Sequence, residues 1–261
     1  MTSSSITLEL IVMEFSFELL ALLSAVAILA GFIDAIAGGG GLLTIPALLF
    51  AGVSPVQAIA TNKLQACFGS FTATRFFIKQ NLVSPSKQKW GILAASFGAI
   101  IGAVAIQLFD SSLLISALPY TLIIIAIYLV IAKNFGQEEQ TEKLSQKNFN
   151  ASFITGIGFY DGFFGPGTGT FFTLSYCKMR ALNLIQATAH AKLMNFTTNI
   201  VSLFIFIISD QIVWAIGLAM AVGQVIGARL GAATAIKQGT DFIRYMTVAV
   251  CIAMSISLLL K

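Results

Sequence analysis

Long apolar stretches fill most of this 261-residue chain and are separated by short polar turns. Two of them, Leu42 to Ala51 and Thr170 to Cys177, are half-length, because a helix rises about 1.5 Å per residue and the hydrocarbon layer is about 30 Å thick. The eight longer stretches are Phe17 to Ala37, Val56 to Ile78, Trp90 to Leu108, Leu113 to Ala132, Ala151 to Phe164, Ile185 to Ile208, Ile212 to Ile236 and Phe242 to Leu260. This pattern predicts an all-α, polytopic membrane protein.

Short motifs of the first half recur in the same order in the second half. The matches are Gly31 to Asp34 with Gly158 to Asp161, Ala60-Thr61 with Ala187-Thr188, Lys63-Leu64 with Lys192-Leu193 after a small insertion, and Gly98 to Ala103 with Gly223 to Ala228. Matches kept in order across half a chain indicate a duplication. We predict a first transmembrane repeat over residues 1–132, a polar linker over 133–150 and a second repeat over 151–261, each with one half-length helix.

Lys and Arg residues fall into alternate loops if all ten apolar stretches cross the membrane. The ten residues that then share one side are Lys79, Lys87, Lys89, Lys133, Lys143, Lys147, Lys178, Arg180, Lys237 and Arg244. Positive residues in short loops are retained in the cytoplasm, so the linker is predicted to be cytoplasmic and both termini non-cytoplasmic. Five crossings per repeat, an odd number, turn the second repeat upside down, as in many secondary transporters of the inner membrane.

Composition narrows the functional classes. Hydrophobic residues make up 57% of the chain, charged residues make up 10%, and the mean hydropathy is +0.90, which excludes a soluble domain. The net charge of +4 is accounted for by the cytoplasmic loops, so no nucleic-acid partner is predicted. The three cysteines are far apart, and nucleotide-binding, zinc-protease and serine-hydrolase motifs are absent. We therefore predict no enzyme, no catalytic residues, no cofactor and no metal.

Polar residues inside the apolar stretches gather near the glycine clusters. Each costs a few kcal/mol unless it is paired or faces a water-filled cavity. A glycine before a short helix exposes backbone N–H groups and the positive end of the helix dipole. Two such starts, facing each other and joined by two lysines, predict a cationic midplane site for a small anion. The predicted substrate-binding residues are Gly38, Gly39, Gly40, Gly41, Thr61, Asn62, Lys63, Gly165, Gly167, Thr168, Gly169, His190, Lys192 and Asn195.

Candidate proton or ion carriers in the membrane are Asp34, Asp161 and His190. The two aspartates are equally well interpreted as ion-pair partners that tie each broken helix to the neighbouring lysine, and the histidine as a packing residue. The glycine clusters could also serve close helix packing. That interpretation is preferred for the Gly98/Gly102 and Gly223/Gly227 pairs, which are excluded from the site.

Two long motifs resemble a known family. GFIDAIAGGGGLLTIPALLFAGVSPVQAIATNKLQA, and GFYDGFFGPGTGTFF followed by QATAHAKLMN, are similar to the TauE/SafE group of sulfite and organosulfonate exporters, most closely its YfcA-like bacterial branch. The resemblance covers nearly the whole chain. It implies an inner-membrane permease for small sulfur-containing or carboxylated anions, and it carries over no residue that selects among them.

The combined expectation is a secondary transporter that moves a small anion by alternating access. Its expected partners are that anion and the lipid bilayer, with a homodimer as an open option for its assembly. An anion channel, or a membrane scaffold or assembly protein without transport, would use the same glycines for packing and stays the alternative.

Overall fold

The computed structural model of the chain describes residues 15–109 and 141–259. No strand occurs in these ranges, and the predicted all-α fold is confirmed. Short 3₁₀ turns cover Pro85–Gln88 and Ile106–Leu108, and a π-helical turn covers Asn150–Ile154. The helices are α1 Phe17–Ala37, α2 Gly41–Phe50, α3 Pro55–Lys79, α4 Lys89–Ala105, α5 Gln146–Phe149, α6 Thr155–Phe163, α7 Thr168–Arg180, α8 Leu184–Ile208 and α9 Trp214–Leu259.

Four segments of the described chain are long and apolar enough to cross a membrane. They are Phe17–Ala37, Pro85–Leu108, Leu184–Ile208 and Trp214–Gly239. Helix α3 is as long as α8, at 25 residues, and both bury polar side chains, among them Lys63 in α3 and Lys192 in α8. The predicted stretch Leu113 to Ala132 lies outside the described residues. The last predicted stretch, Phe242 to Leu260, is described as far as Leu259. That part falls in α9 beyond Gly239, whose φ of 76° and ψ of −166° interrupt the helix.

The second repeat begins its first helix earlier than predicted. The Ser145 side chain accepts from the Asn148 N–H and caps α5, so the helix starts at Gln146, inside the stretch assigned to the linker. The π-helical turn then joins α5 to α6 without a break. Burial explains why the helix starts before the apolar stretch, because Phe149 is 0% exposed and packs against Tyr176 with ring centroids 5.0 Å apart.

Each repeat packs its long helices on helices of the other repeat. A Cβ on Gly98 of α4 would lie 2.1 Å from the carbonyl oxygen of Thr155, and one on Gly227 of α9 would lie 2.0 Å from that of Ile28. Any larger residue would force these backbones apart, so α4 lies directly on α6 and α9 directly on α1. The prediction that the spaced glycine pairs are packing faces is confirmed.

Helix directions bear on the predicted number of crossings. Helix α9 runs parallel to both α1 and α3, because their contacts advance in step along the chains. The contacts that fix these directions are Gly223 with Ser24, Gly231 with Phe32, Val213 with Thr61, and Gln224 with Gly69. Helices α1 and α3 therefore run the same way, and α2 must carry the chain back between them. This is the arrangement that the count of ten crossings requires.

Helix α2 starts well inside the bundle. A Cβ on Gly40 would lie 2.8 Å from the Asp34 Cβ and 3.0 Å from the Ala30 carbonyl oxygen, so the chain folds back along α1. Those two residues lie about 5 to 10 Å along the helix before its last residue, Ala37. The half-length helix therefore begins beside the interior of α1 rather than at its end.

The two repeats differ in length before α3 and α8, not inside them. Lys63 is eight residues beyond Pro55, the first residue of α3, and Lys192 is eight residues beyond Leu184, the first residue of α8. The inserted residues belong instead to the short helix, which has 10 residues in α2 and 13 in α7. The predicted pairing of Ala60-Thr61 with Ala187-Thr188 is therefore wrong, since these residues sit at different positions of their helices.

Candidate functional site

Two glycine-preceded helix starts create sharp reversals in the chain. Gly38 ends α1 with a φ of 85°, and Gly167 caps the start of α7 with a φ of 78°. Gly165, between α6 and α7, has a φ of 99°. These angles lie in the left-handed region, which glycine adopts without a Cβ clash. Both short helices, α2 and α7, can therefore start inside the protein.

The two reversals touch each other through their backbones. A Cβ on Gly38 would lie 2.3 Å from the carbonyl carbon of Gly169, and one on Gly169 would lie 2.6 Å from the Gly38 Cα. A Cβ on Gly41 would lie 3.3 Å from the Pro166 Cα. The Thr170 hydroxyl donates a hydrogen bond to the Ala37 carbonyl. The glycine clusters of the two repeats thus face each other at close range, as the sequence predicted.

Two ion pairs cross between the repeats at this point. Lys63 Nζ of the first repeat lies 2.7 Å from Asp161 Oδ1 of the second, and Lys192 Nζ of the second lies 2.8 Å from Asp34 Oδ2 of the first. The interpretation of the two aspartates as ion-pair partners of the lysines is confirmed. Each carboxylate reaches the lysine of the other half of the chain.

The two carboxylates differ in their surroundings. Asp161 is 2% exposed and also accepts hydrogen bonds from the hydroxyls of Thr168, at 3.0 Å, and Thr198. Asp34 is 17% exposed and accepts, besides the lysine, only the Gly40 N–H at 3.3 Å among the described residues. The first pair is enclosed and has several partners, whereas the second leaves part of its carboxylate free.

These pairs change the predicted electrostatics of the centre. The formal charges of two lysines and two aspartates sum to zero when all four are ionised, so each ion pair offsets the positive charge that the lysine alone would bring to the centre. A buried charge without a partner would cost several kcal/mol, which explains why each ammonium group is matched by a carboxylate.

A small cavity lies between the two helix starts. Its volume is about 20 Å³, which is room for about one water molecule. The carboxylates of Asp34 and Asp161 line it, whereas their lysine partners lie behind them. The residues that line this central cavity are Asp34, Gly38, Gly40, Gly41, Asn62, Gln65, Ala66, Asp161, Gly165, Asn195, Asn199 and Gln224.

Side-chain amides supply hydrogen-bond donors to the central cavity. Asn62 Oδ1 accepts from the Thr44 hydroxyl and from Gln65 Nε2, each at 2.6 Å, and Asn195 Oδ1 accepts from Asn199 Nδ2 at 2.7 Å. With both oxygens occupied, the Nδ2 groups of Asn62 and Asn195 have no acceptor among the described residues. The arrangement presents N–H groups, which suit an anion, from both repeats.

Backbone donors are divided unevenly between the two helix starts. The Thr168 N–H donates to the Gly165 carbonyl at 3.2 Å, so it is already used. Gly41 is also a predicted substrate-binding residue, and its N–H has no backbone acceptor within the described chain. Of these two predicted backbone donors, only the one on α2 is open to a ligand.

Eight of the fourteen predicted substrate-binding residues do not line the central cavity: Gly39, Thr61, Lys63, Gly167, Thr168, Gly169, His190 and Lys192. Thr61 is 0% exposed, and its hydroxyl accepts the Val213 N–H at 3.0 Å before the start of α9. The Gly39 carbonyl accepts the Leu42 N–H at 3.1 Å. His190 Nδ1 lies 2.8 Å from the Gln186 carbonyl oxygen, and its ring packs 5.2 Å from that of Tyr176. The structure does not bring His190 to the ion pairs.

The sequence prediction left out several residues that the structure places at the site. Gln65 and Asn199 are polar residues inside apolar stretches, and that signal alone could have included them. Gln224 was missed because it lies between two packing glycines, yet it is 2% exposed and lines the central cavity. Nothing in the sequence indicates Thr198, because its hydroxyl matters only through its hydrogen bond to the Asp161 carboxylate, which comes from a different helix.

Comparison with known proteins places this architecture in a family. The family model described as "Sulfite exporter TauE/SafE" matches residues 23–258. The chain belongs to the TauE/SafE family. It is therefore a multi-pass membrane protein of a transporter family rather than an enzyme. The family resemblance found in the two glycine motifs is confirmed.

Curated relatives of this TauE/SafE protein share nearly its whole length. The chain is 46% identical over 243 residues to "probable membrane transporter protein YfcA" of Escherichia coli K12, covering 92% of this chain and 90% of the relative. It is 41% identical to a "probable membrane transporter protein" of Haemophilus influenzae, covering 93% and 95%. It is 40% identical to "probable membrane transporter protein ORF9" of a Sinorhizobium species, covering 94% of each. No solved structure matches the chain significantly.

Proposed function

We propose that this protein is a secondary transporter of the inner membrane that carries a small sulfur-containing oxyanion or organosulfonate by alternating access. The observation that carries the proposal is the pair of crossed ion pairs at one cavity built by both repeats. A packing scaffold has no need for four ionisable groups at its centre, since each costs free energy to bury. The linker is proposed to be cytoplasmic and both termini non-cytoplasmic.

The donors around the central cavity explain how an anion would be held. Nδ2 groups of Asn62 and Asn195 approach from opposite repeats, and the Gly41 N–H opens at the start of α2. Helix starts carry a partial positive charge, so the ends of α2 and α7 favour the same ligand. Lys192 completes the set, because its partner Asp34 is the carboxylate with fewer contacts.

Charge balance at this site favours transport of the anion together with a proton. When Asp34 takes up a proton, its ion pair with Lys192 is released and the centre gains one positive charge. A monovalent anion then restores neutrality, and the loaded site crosses the low-dielectric interior without net charge. The other charged groups that face this cavity are Asp161 and, through it, Lys63. His190 is left out because its contacts lie elsewhere.

Packing between the repeats suggests which parts move. The backbones of α1 and α9 touch at their glycines, and so do those of α4 and α6, although each pair joins different repeats. Separating the repeats as two rigid halves would break both contacts. We therefore propose that α1, α3 and α9 move as one body against α4, α6 and α8. The central cavity of about 20 Å³ then belongs to a closed state, because it is too small for an oxyanion.

Reconstituted transport tests the proposal. Purified protein in proteoliposomes should take up labelled sulfite, supplied as the monovalent hydrogensulfite ion, with saturation and counterflow, both of which define a carrier. Lys192→Gln should abolish that uptake, whereas Lys87→Gln, at an exposed loop position, should leave it unchanged. Linear, non-saturating flux would indicate a channel, and no flux of any anion a scaffold. Saturable uptake that survives Lys192→Gln would contradict the proposed site.

A further inference from the structure

A second cavity lies on the outside of the bundle, away from the ion pairs. It has a volume of about 330 Å³, within the range of small-ligand pockets, and it is formed between α3 and α9. This cavity is positively charged, because three of its lining residues are cationic and none is acidic. The residues that line this outer groove are Phe71, Thr72, Arg75, Phe76, Lys79, Val225 and Arg229.

The three cations of the outer groove lack a protein counter-charge. Arg75, Lys79 and Arg229 are exposed, and none forms an ion pair with any residue in the described ranges. By contrast, the two lysines buried inside the bundle, Lys63 and Lys192, are both paired. Three exposed cations on one surface repel one another, and an anion from outside the protein would relieve that repulsion.

The groove is graded in polarity along α3. Lys79 is the last residue of this helix, and Phe71 lies eight residues before it, about 12 Å deeper. The cations therefore lie toward the helix end, where lipid headgroups are found. Exposed apolar side chains lie deeper, since Phe71 is 47% exposed and Val225 is 36% exposed. A charged end followed by an apolar floor matches the shape of a phospholipid.

We propose that the outer groove binds the headgroup phosphate of an anionic phospholipid from the bilayer. Arg75, Lys79 and Arg229 hold the phosphate, and an acyl chain lies over Phe71 and Val225. Since α3 belongs to the first repeat and α9 to the second, the bound lipid links the two repeats at one end of the bundle. This site is separate from the central cavity and does not depend on which substrate the protein carries.

Thermal unfolding of the full-length protein in detergent tests the lipid site, with added dioleoyl phosphatidylglycerol compared with dioleoyl phosphatidylcholine. The anionic lipid should raise the Tm and the zwitterionic lipid should not. The double variant Arg75→Gln, Arg229→Gln should bind phosphatidylglycerol about tenfold more weakly and lose the shift. The matched control Lys87→Gln, Lys89→Gln removes two exposed charges from the same end of the bundle and should keep it.

Several results would overturn the lipid site. Equal shifts with both lipids, or a full shift in the Arg75→Gln, Arg229→Gln variant, would show that these cations do not select the lipid. Stabilisation by inorganic phosphate alone would indicate a site for a soluble anion. If the variant instead converts a dimer to a monomer by light scattering while lipid retention is unchanged in native mass spectrometry, the groove is an interface between two copies.

Discussion

The two crossed ion pairs follow one plan but have different surroundings. Lys63 and Asp161 are almost fully buried, and their carboxylate is also bound by two threonine hydroxyls. Lys192 is equally buried, but Asp34 is partly exposed and has fewer partners. The two pairs occupy corresponding positions of the predicted repeats, but the side chains around them differ. We infer that the first pair holds the repeats together while the second opens for proton and anion.

The largest difference between the pairs should appear in stability. Lys63→Ala leaves Asp161 buried without its cation, and breaking such a pair costs about 3–5 kcal/mol. Lys192→Ala should cost less, because Asp34 retains access to the cavity. Thermal unfolding of both variants in detergent measures the difference. Equal losses of Tm would mean that the two pairs are equivalent, which contradicts the division of roles.

The next prediction concerns the close backbone contact between Gly38 and Gly169. Gly38→Ala places a Cβ 2.3 Å from the Gly169 backbone and should cost about 2–4 kcal/mol, combining overpacking with left-handed strain. Gly52→Ala is the matched control, since Gly52 has a φ of 83° but nothing within 4 Å of the added Cβ. It should cost only about 1–2 kcal/mol from its conformation. A Gly38→Ala protein as stable as Gly52→Ala would show that the two helix starts are not in contact.

Removal of the Asp34 carboxylate should affect the proposed proton coupling more than folding. Asp34→Asn keeps the shape of the side chain but cannot bind and release a proton. Anion uptake should therefore fall at least about tenfold, which corresponds to about 1.4 kcal/mol. The remaining uptake should no longer depend on a pH gradient. Glu18→Gln, an exposed position on the same helix, is the control and should behave as wild type. Proteoliposome uptake with and without an imposed pH gradient checks both. Gradient-driven uptake in Asp34→Asn would assign the coupling to another group.

The smallest expected effect is on the affinity for the anion. Asn195→Ala removes one amide donor from the central cavity and should raise the KM about tenfold, in line with about 1.5 kcal/mol for one hydrogen bond to a charged group. Asn148→Ala removes an exposed amide outside the cavity and should leave the KM unchanged. Initial uptake rates over a range of anion concentrations measure both. An unchanged KM in Asn195→Ala would exclude this amide as a ligand.

Much of the fold could be predicted from local patterns. The lengths of the helices and the glycine breaks between them can be predicted from the order of residues along the chain. The glycine motifs also indicated the family. The partners of the charged residues could not be read in the same way. Asp34 and Lys192 are 158 positions apart, and nothing in either neighbourhood indicates that the pairing crosses between the repeats.

Two further details depend on how helices turn relative to one another. His190 is only two residues from Lys192, which places it on another face of α8, toward Tyr176. Gln224 was set aside together with its neighbouring glycines, although the close packing of those glycines is what brings its amide to the central cavity. Residue type and depth were therefore predictable, whereas the facing partner required the three-dimensional arrangement.

The ratio of protons to anions moved is the most direct test of the neutral, proton-coupled centre. Simultaneous recording of internal pH and labelled anion in proteoliposomes should show one proton for each monovalent anion, with no effect of membrane potential, because the four central charges sum to zero. Asp34→Asn should show no such proton movement. Saturable anion uptake without protons, accelerated by an inside-positive potential, would contradict the account.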